Sequence, residues 1–180
     1  MAVLTTRWIR DHLACIENAA DGNVSSASYD LRWNGEFREP ALSLDGAWQW
    51  SAIQCAATLT MRPATLYLLS TMEYLQMPPD VLGLIFLRST PARGALSMSP
   101  AGVVEPGFSG EITLEFFTLW PAGYTINVGY SPAQIVFLRC DEEPLRDYRL
   151  FGHYNGQCGP TLGVSDEKRR YSNRDRHSPS

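Results

Sequence analysis

The clearest alternation of apolar and polar residues lies past the middle of the chain. Ile112, Leu114 and Phe116 alternate with Glu111, Thr113 and Glu115, the two-residue period of a strand with unlike faces. Just before it, Pro106-Gly107 is a turn pair, proline fixing φ and glycine free to take positive φ, and Gly110 closes the loop. The stretch from Ala101 to Phe117 therefore reads as loop, tight turn and buried strand. The carboxylates of Glu105 and Glu115 bracket the turn. Glu115 stands in an apolar segment, where a charge is costly unless it is partnered or functional.

The same reading extends along the chain. In residues 4–17, Trp8, Ile9, His12, Leu13 and Ile16 fall at helical spacing, with Thr5 or Thr6 as a cap, and predict a short amphipathic N-terminal helix. Asn34-Gly35 after a strand-like run predicts a hairpin turn. Trp48 and Trp50 flank Gln49 and would share one strand face; residues 40–63 otherwise carry little pattern. Ala64 to Met72 reads as a strand from its Leu, Thr and Tyr. Val81 to Leu87, apolar except at Gly83, predicts a strand buried on both faces. It leads into a polar loop, Arg88-Ser89-Thr90-Pro91-Ala92-Arg93-Gly94. Beyond a turn at Pro121–Tyr124, Thr125 to Val128 is a short strand, and Asp141-Glu142-Glu143-Pro144 forms an acidic boundary. Many short strands with glycine and proline turns indicate an all-β domain. The expected division is a core with its helix over 1–145, a glycine-rich C-terminal segment over 146–165 and a charged tail over 166–180, expected to be disordered.

Composition narrows the classes. At 180 residues the chain supports one domain with a real core, and 44% hydrophobic with 19% charged residues is ordinary for a globular protein. A net charge of −4 argues against a nucleic-acid coat or an anionic membrane surface. No apolar run approaches the ~20 residues of a membrane span, and Arg7, Arg10 and Asp11 interrupt any export signal. Cys15, Cys55, Cys140 and Cys158 lack metal-ligand spacing and read as reduced thiols of a cytoplasmic protein. Two features carry candidate chemistry. Arg88, Ser89, Thr90 and Arg93 after a buried strand suit an anion such as a phosphate, although solvated arginines in a polar loop are the commoner arrangement. Glu115 suits a general base. Together they point to a small phosphorylated ligand.

The central stretch resembles the signature of the dCTP deaminase and dUTPase superfamily, roughly Ala-Gly-x-Ile-Asp-Pro-Gly-aromatic-x-Gly followed by a Leu-Glu strand, with Glu105 at the acidic position. Four other stretches resemble family motifs in the expected order. They are Ser28-Tyr29-Asp30-Leu31-Arg32; Thr71-Met72-Glu73 with Pro78; Arg88 to Arg93; and Ala133-Gln134. The end, Gly152-His153-Tyr154-Asn155-Gly156-Gln157-Cys158-Gly159-Pro160-Thr161, is similar to the C-terminal segment that folds over the nucleotide in dCTP deaminases. The resemblance runs from Ser28 to Thr161. It departs at Leu87, Thr90, Pro91, Glu105, Pro132 and His153.

The resemblance implies a distorted β-barrel or jelly-roll of the dUTPase-like type, a homotrimer with sites between subunits, and a deoxynucleotide substrate, with no nucleic-acid or membrane partner. It implies catalytic roles for Glu115, as the base that activates water at cytosine C4, and for Arg93 and Ser89. Nucleotide contacts would come from Arg88, Ser89, Thr90, Val104, Glu105, Gln134, Tyr148, His153 and Gln157. The glutamate ten residues after the motif acid matches the deaminases rather than the dUTPases. The H-x-E and P-C-x-x-C signature of zinc deaminases is absent from the sequence, so no catalytic zinc is expected, and Mg²⁺ would arrive with the triphosphate. The other readings are a bifunctional enzyme giving dUMP, a dUTPase, a non-catalytic nucleotide-binding regulator and a purely structural trimer.

Overall fold

The computed structural model describes residues 2–164, so the expected tail at 166–180 lies outside the described residues. In chain order the elements begin with β1 (Ala2–Val3), α1 (Thr6–Asp11), β2 (Ile16–Glu17), β3 (Tyr29–Leu31) and β4 (Trp33–Arg38). There follow β5 (Pro40–Leu42), β6 (Trp48–Trp50), β7 (Gln54–Cys55), β8 (Thr58–Met61) and β9 (Tyr67–Gln76). The chain continues through β10 (Val81–Leu87), α2 (Ser89–Arg93), β11 (Leu96–Met98), β12 (Val103–Val104) and β13 (Ser109–Thr118). It ends with β14 (Tyr124–Asn127), β15 (Ala133–Arg139) and α3 (Tyr148–Phe151).

One sheet runs β1-β15-β10-β12, with β3 on β15; the other runs β11-β13-β9-β4-β7, with β2 on β9. Two ribbons, β14-β8 and β5-β6, complete the structure. The sheets stay open rather than closing into one barrel, the distorted jelly-roll expected from the resemblance. Alternation places Tyr29, Leu31, Trp33, Phe116, Ile135 and Leu69 in one buried cluster.

The longest pairing, β9 with β13, changes register between Glu111 and Thr113. Thr71, Met72 and Glu73 bulge opposite Ile112. The Ile112 N–H donates to Thr71 Oγ1 at 2.9 Å, and that hydroxyl donates to the Glu73 carbonyl at 2.8 Å. The bulge turns Glu73, which has no exposed surface, toward the first sheet. There its carboxylate accepts from the Arg32 backbone N–H at 2.8 Å, Arg32 Nε at 2.7 Å and, more weakly, Tyr29 Oη at 3.4 Å. The Thr-x-Glu motif is thus a joint between strands.

Five expectations need correcting. Residues 4–17 are not one helix: α1 stops at Asp11, a short 3₁₀ turn spans Leu13–Cys15, and Ile16 pairs with Leu75 in the sheet. Neither threonine side chain caps α1; Thr6 Oγ1 instead donates to the Ser25 carbonyl at 2.8 Å. Asn34-Gly35 is no hairpin turn but a step inside β4. Gly35 takes φ +101°, and a Cβ there would stand 2.9 Å from Val128 Cγ2, so close packing rather than chain reversal requires the glycine. Residues 88–94 are not a loop: Ser89–Arg93 form a helical turn, which Pro91 tolerates because first-turn N–H groups need no intrahelical partner. Finally, β10 buries Val81, Gly83 and Ile85, whereas Phe86 is 49% exposed, so within one chain only one face is buried.

The buried Glu73–Arg32 pair and the open Arg10–Asp21 pair should respond differently to loss of one partner. Arg32→Met strands a buried carboxylate and should cost about 3–5 kcal/mol in urea unfolding, whereas Arg10→Met should cost less than ~1 kcal/mol. Equal, small effects would show that solvent relieves Glu73 after all.

Candidate active site

The central stretch forms the floor of a cavity of about 510 Å³, within the size range of small-molecule sites. The turn comes first. Phe108 N–H donates to the Glu105 carbonyl at 3.1 Å, and Gly107 has φ +80°, the geometry of a type II turn with proline second and glycine third. Met77 N–H donates to the Phe108 carbonyl at 2.8 Å, which docks the turn beside the end of β9. Glu105 therefore stands exposed at the cavity, one residue after buried Val104.

β13 supplies Ile112, Thr113 and Glu115. Glu115 is half-buried, and its carboxylate takes no hydrogen bond from another residue's side chain among the described residues. Burial pushes its carboxyl above the ordinary range, with only its own backbone working against the rise. A carboxylate without a side-chain partner that holds its proton more tightly than usual is poised to exchange that proton with a bound molecule.

The C-terminal segment forms another wall. Tyr148, Tyr154, Gln157 and Thr161 line the cavity. Tyr148 packs on Phe108 with ring centroids 6.0 Å apart; burial pushes its phenol up, and the charge of Glu105 adds to the rise. The segment lies along β13: Ser109 N–H donates to Asn155 Oδ1 at 2.8 Å, Gly110 bridges Gln157 in parallel, and Thr161 N–H donates to Thr113 Oγ1 at 3.0 Å. Tyr154 and Trp50 line the cavity although sequence reasoning gave neither a role there. The aromatic spacing at Trp48 and Trp50 was the only signal for the latter, and it pointed to a strand.

The other expected residues lie elsewhere in the chain. Arg88 pairs with Asp30 at 3.0 Å and donates to the Ser131 carbonyl at 2.8 Å. Burial raises the Asp30 carboxyl, and the Arg88 charge offsets this only in part. Gln134, paired in register with Asp30, accepts from Ser28 Oγ at 3.1 Å. On α2, Ser89, Thr90 and Arg93 are exposed and have no side-chain partner among the described residues. His153 is exposed and does not line the cavity. The chain thus carries two groups of expected site residues: Val104, Glu105, Glu115, Tyr148 and Gln157 at the cavity, and Arg88, Ser89, Thr90, Arg93 and Gln134 away from it. No lysine or arginine among the described residues lines the cavity.

The state of Glu115 has a measurable consequence. The native protein holds this proton more tightly than the unfolded chain, so the contribution to stability is present at low pH and is lost as pH rises through the raised native value. Glu115→Gln escapes that loss. The variant should melt at a higher temperature than wild type at about pH 7 and converge with it at about pH 4. A Tm at neutral pH equal to or below wild type would show that the carboxylate is not strained by burial.

Comparison with known proteins bears on this arrangement. A family model described as dCTP deaminase-like matches residues 3–140. The chain is 41% identical over 105 residues to a dCTP deaminase of Ignicoccus hospitalis, a match covering 58% of this chain and 57% of that protein. It is 32% identical over 167 residues to a "dCTP deaminase, dUMP-forming" of Mycobacterium avium, covering 81% and 84%. The crystal structure of a 2′-deoxycytidine 5′-triphosphate deaminase from Agrobacterium tumefaciens superposes with a TM-score of 0.61 over 75% of this chain and 47% of that one, at 19% identity, and shares the fold. With the family model spanning the central turn, β13 and the Arg88–Arg93 stretch, the chain belongs to the dCTP deaminase-like family.

Proposed function

We propose that this protein hydrolytically deaminates a cytosine deoxynucleotide, with dCTP the first candidate, giving dUTP and ammonia. The observation that carries the reading is Glu115: half-buried in the cavity, without a side-chain partner among the described residues, its carboxyl raised by burial, in a chain of this family. In the proposed step Glu115 removes a proton from water as the water oxygen bonds to C4 of the base. The carboxyl then returns that proton to the exocyclic nitrogen. The C4–N bond to the exocyclic nitrogen breaks with departure of ammonia; N3, which takes the C4–N3 π pair as water adds and returns it as ammonia leaves, receives the remaining hydroxyl proton, leaving a C4 carbonyl and an N3–H. Glu105, at the rim, would meet the deoxyribose. Tyr148 and Gln157 would cover the nucleotide as part of a C-terminal lid.

A triphosphate needs cations, and none among the described residues lines the cavity. We infer that Arg88, Ser89, Thr90 and Arg93, with Gln134, complete the site of a second copy in a homotrimer. The hydroxyls and guanidinium on α2, exposed and without a side-chain partner among the described residues, support this, as does apolar Phe86 on the outer face of β10. Mg²⁺ would travel with the substrate. Among the described residues no group of three or more His, Cys, Asp or Glu side chains is placed to hold a metal, so triphosphate oxygens would supply most of the ligands. No helix of the described residues is long and apolar enough to cross a membrane, and the proposed setting is the cytoplasm.

A second reading, dUMP formation, is favoured by the Mycobacterium avium relative. Here Glu105 bears on the outcome, because its longer side chain displaces the carboxylate relative to the family's aspartate. Incubation with Mg²⁺ and dCTP, with products separated by anion exchange, should yield dUTP with little dUMP. Glu115→Gln should lower kcat by about 10³. Glu105→Asp should raise the dUMP fraction at least about tenfold, since an ångström of displacement is enough to misplace an attacking water. Hydrolysis of dUTP alone would instead make the protein a dUTPase, and tight dCTP binding without turnover would make it a regulator.

A further inference from the structure

The structure assigns Glu111 as the positioning residue that holds the Gln157–Gly159 segment against the cavity, a role that rests on the function proposed above. Glu111 shares the outer face of β13 with Thr113 and Glu115. Its Oε2 accepts from Ser70 Oγ at 2.7 Å, from the Gly159 backbone N–H at 2.8 Å and, at 3.5 Å, from Asn34 Nδ2. Its backbone is engaged as well. Glu111 N–H donates to the Gln157 carbonyl at 3.0 Å, and Gln157 Nε2 donates to the Glu111 carbonyl at 2.7 Å. One residue therefore holds both ends of a short run of chain.

The Glu111 side-chain contact is charged, and so is the neighbouring one from β4, where Arg38 Nε donates to the Pro160 carbonyl at 2.8 Å. Elsewhere the segment is held on β13 by neutral groups at Ser109, Gly110 and Thr113. A carboxylate accepting a backbone N–H makes a stronger bond than these. Gly159, whose N–H makes that bond, adopts φ +70°, and a Cβ there would stand 3.0 Å from Glu36 Oε2 and 3.2 Å from Ile53 Cδ1. Ser70 Oγ, on fully buried ground, fixes the carboxylate from the other side. The chain from Ser70 through Glu111 to Gly159 ties the cavity wall to the middle of β9. Because Gln157 lines the cavity between these attachments, the anchor sets where its amide stands, and with it the neighbouring Tyr154 and Thr161. On one strand face, then, Glu115 faces the chemistry and Glu111 holds the cover.

Hydrogen exchange on the full chain without nucleotide tests the anchor independently of turnover. Glu111→Ala should speed exchange of the 155–161 amides by at least about tenfold and leave those of 67–76 unchanged. Glu111→Gln, whose amide oxygen still accepts, should show a smaller effect. Gly159→Ala breaks the same bond from its other end and should add little in the Glu111→Ala background. With dCTP, Glu111→Ala should raise KM about tenfold with kcat within about threefold, and Glu111→Gln should restore most of the loss. Unchanged exchange at 155–161 would overturn the assignment. So would faster exchange spreading through 67–76 with kcat and KM affected alike, since that would make Glu111 only a support of the sheet. If wild type turns over no nucleotide, the functional reading fails, while the exchange result still decides the anchor.

Discussion

The pairing of β9 with β13 across the Thr71–Glu73 bulge governs what every other part of the molecule presents. It shifts the register by two residues, which preserves the alternation, so Ile112, Leu114 and Phe116 stay in the core and Glu111, Thr113 and Glu115 stay outside it. A slip of one residue would exchange those sets, burying three polar side chains. Thr71 supplies the hydroxyl that both backbone groups at the bulge require, and Glu73 joins Arg32, the residue between β3 of the first sheet and β4 of the second. Placement of a half-buried carboxylate at position 115 follows from this register.

The register also explains how cost and chemistry are distributed. Glu73 is more deeply buried than Glu115 but is satisfied by Arg32; Glu115 is less buried but has no such partner among the described residues. The first arrangement locks strands together, and the second leaves a proton exchangeable. Glu111 is a third case, a carboxylate on the same face held by a hydroxyl and a backbone N–H. Three acids within one pair of strands thus stand in separate environments, set by what each can bond.

Much of this was legible in the sequence, where one local rule decided the outcome. Two-residue alternation located β13, and Pro106-Gly107 located the turn before it, because nothing competes with those signals. Readings failed where a distant contact overrode local preference. Ile16 leaves its helical pattern to pair with Leu75, and Asn34-Gly35 stays inside β4, its glycine at φ +101° closely backed by Val128, distant in sequence. The acidic members of the site were visible as carboxylates flanking a turn. Trp50 and Tyr154 were not, since only the folded path of the C-terminal segment brings them to the cavity. The Arg88–Arg93 group was visible as chemistry, but one chain's fold leaves it apart from Glu115.

That separation leads to the most direct test of the account, whose central claim is a site divided between copies. Glu115→Gln and Arg93→Ala proteins, each inactive alone, would be unfolded, mixed in equal amounts and refolded together, with dCTP turnover as the readout. Because each copy would lend its intact half to a neighbour, activity should return to about a quarter of wild type in a randomly mixed assembly. No recovery above the separate variants, with the mixed assembly verified by mass, would contradict the divided site and place both groups' work within a single chain.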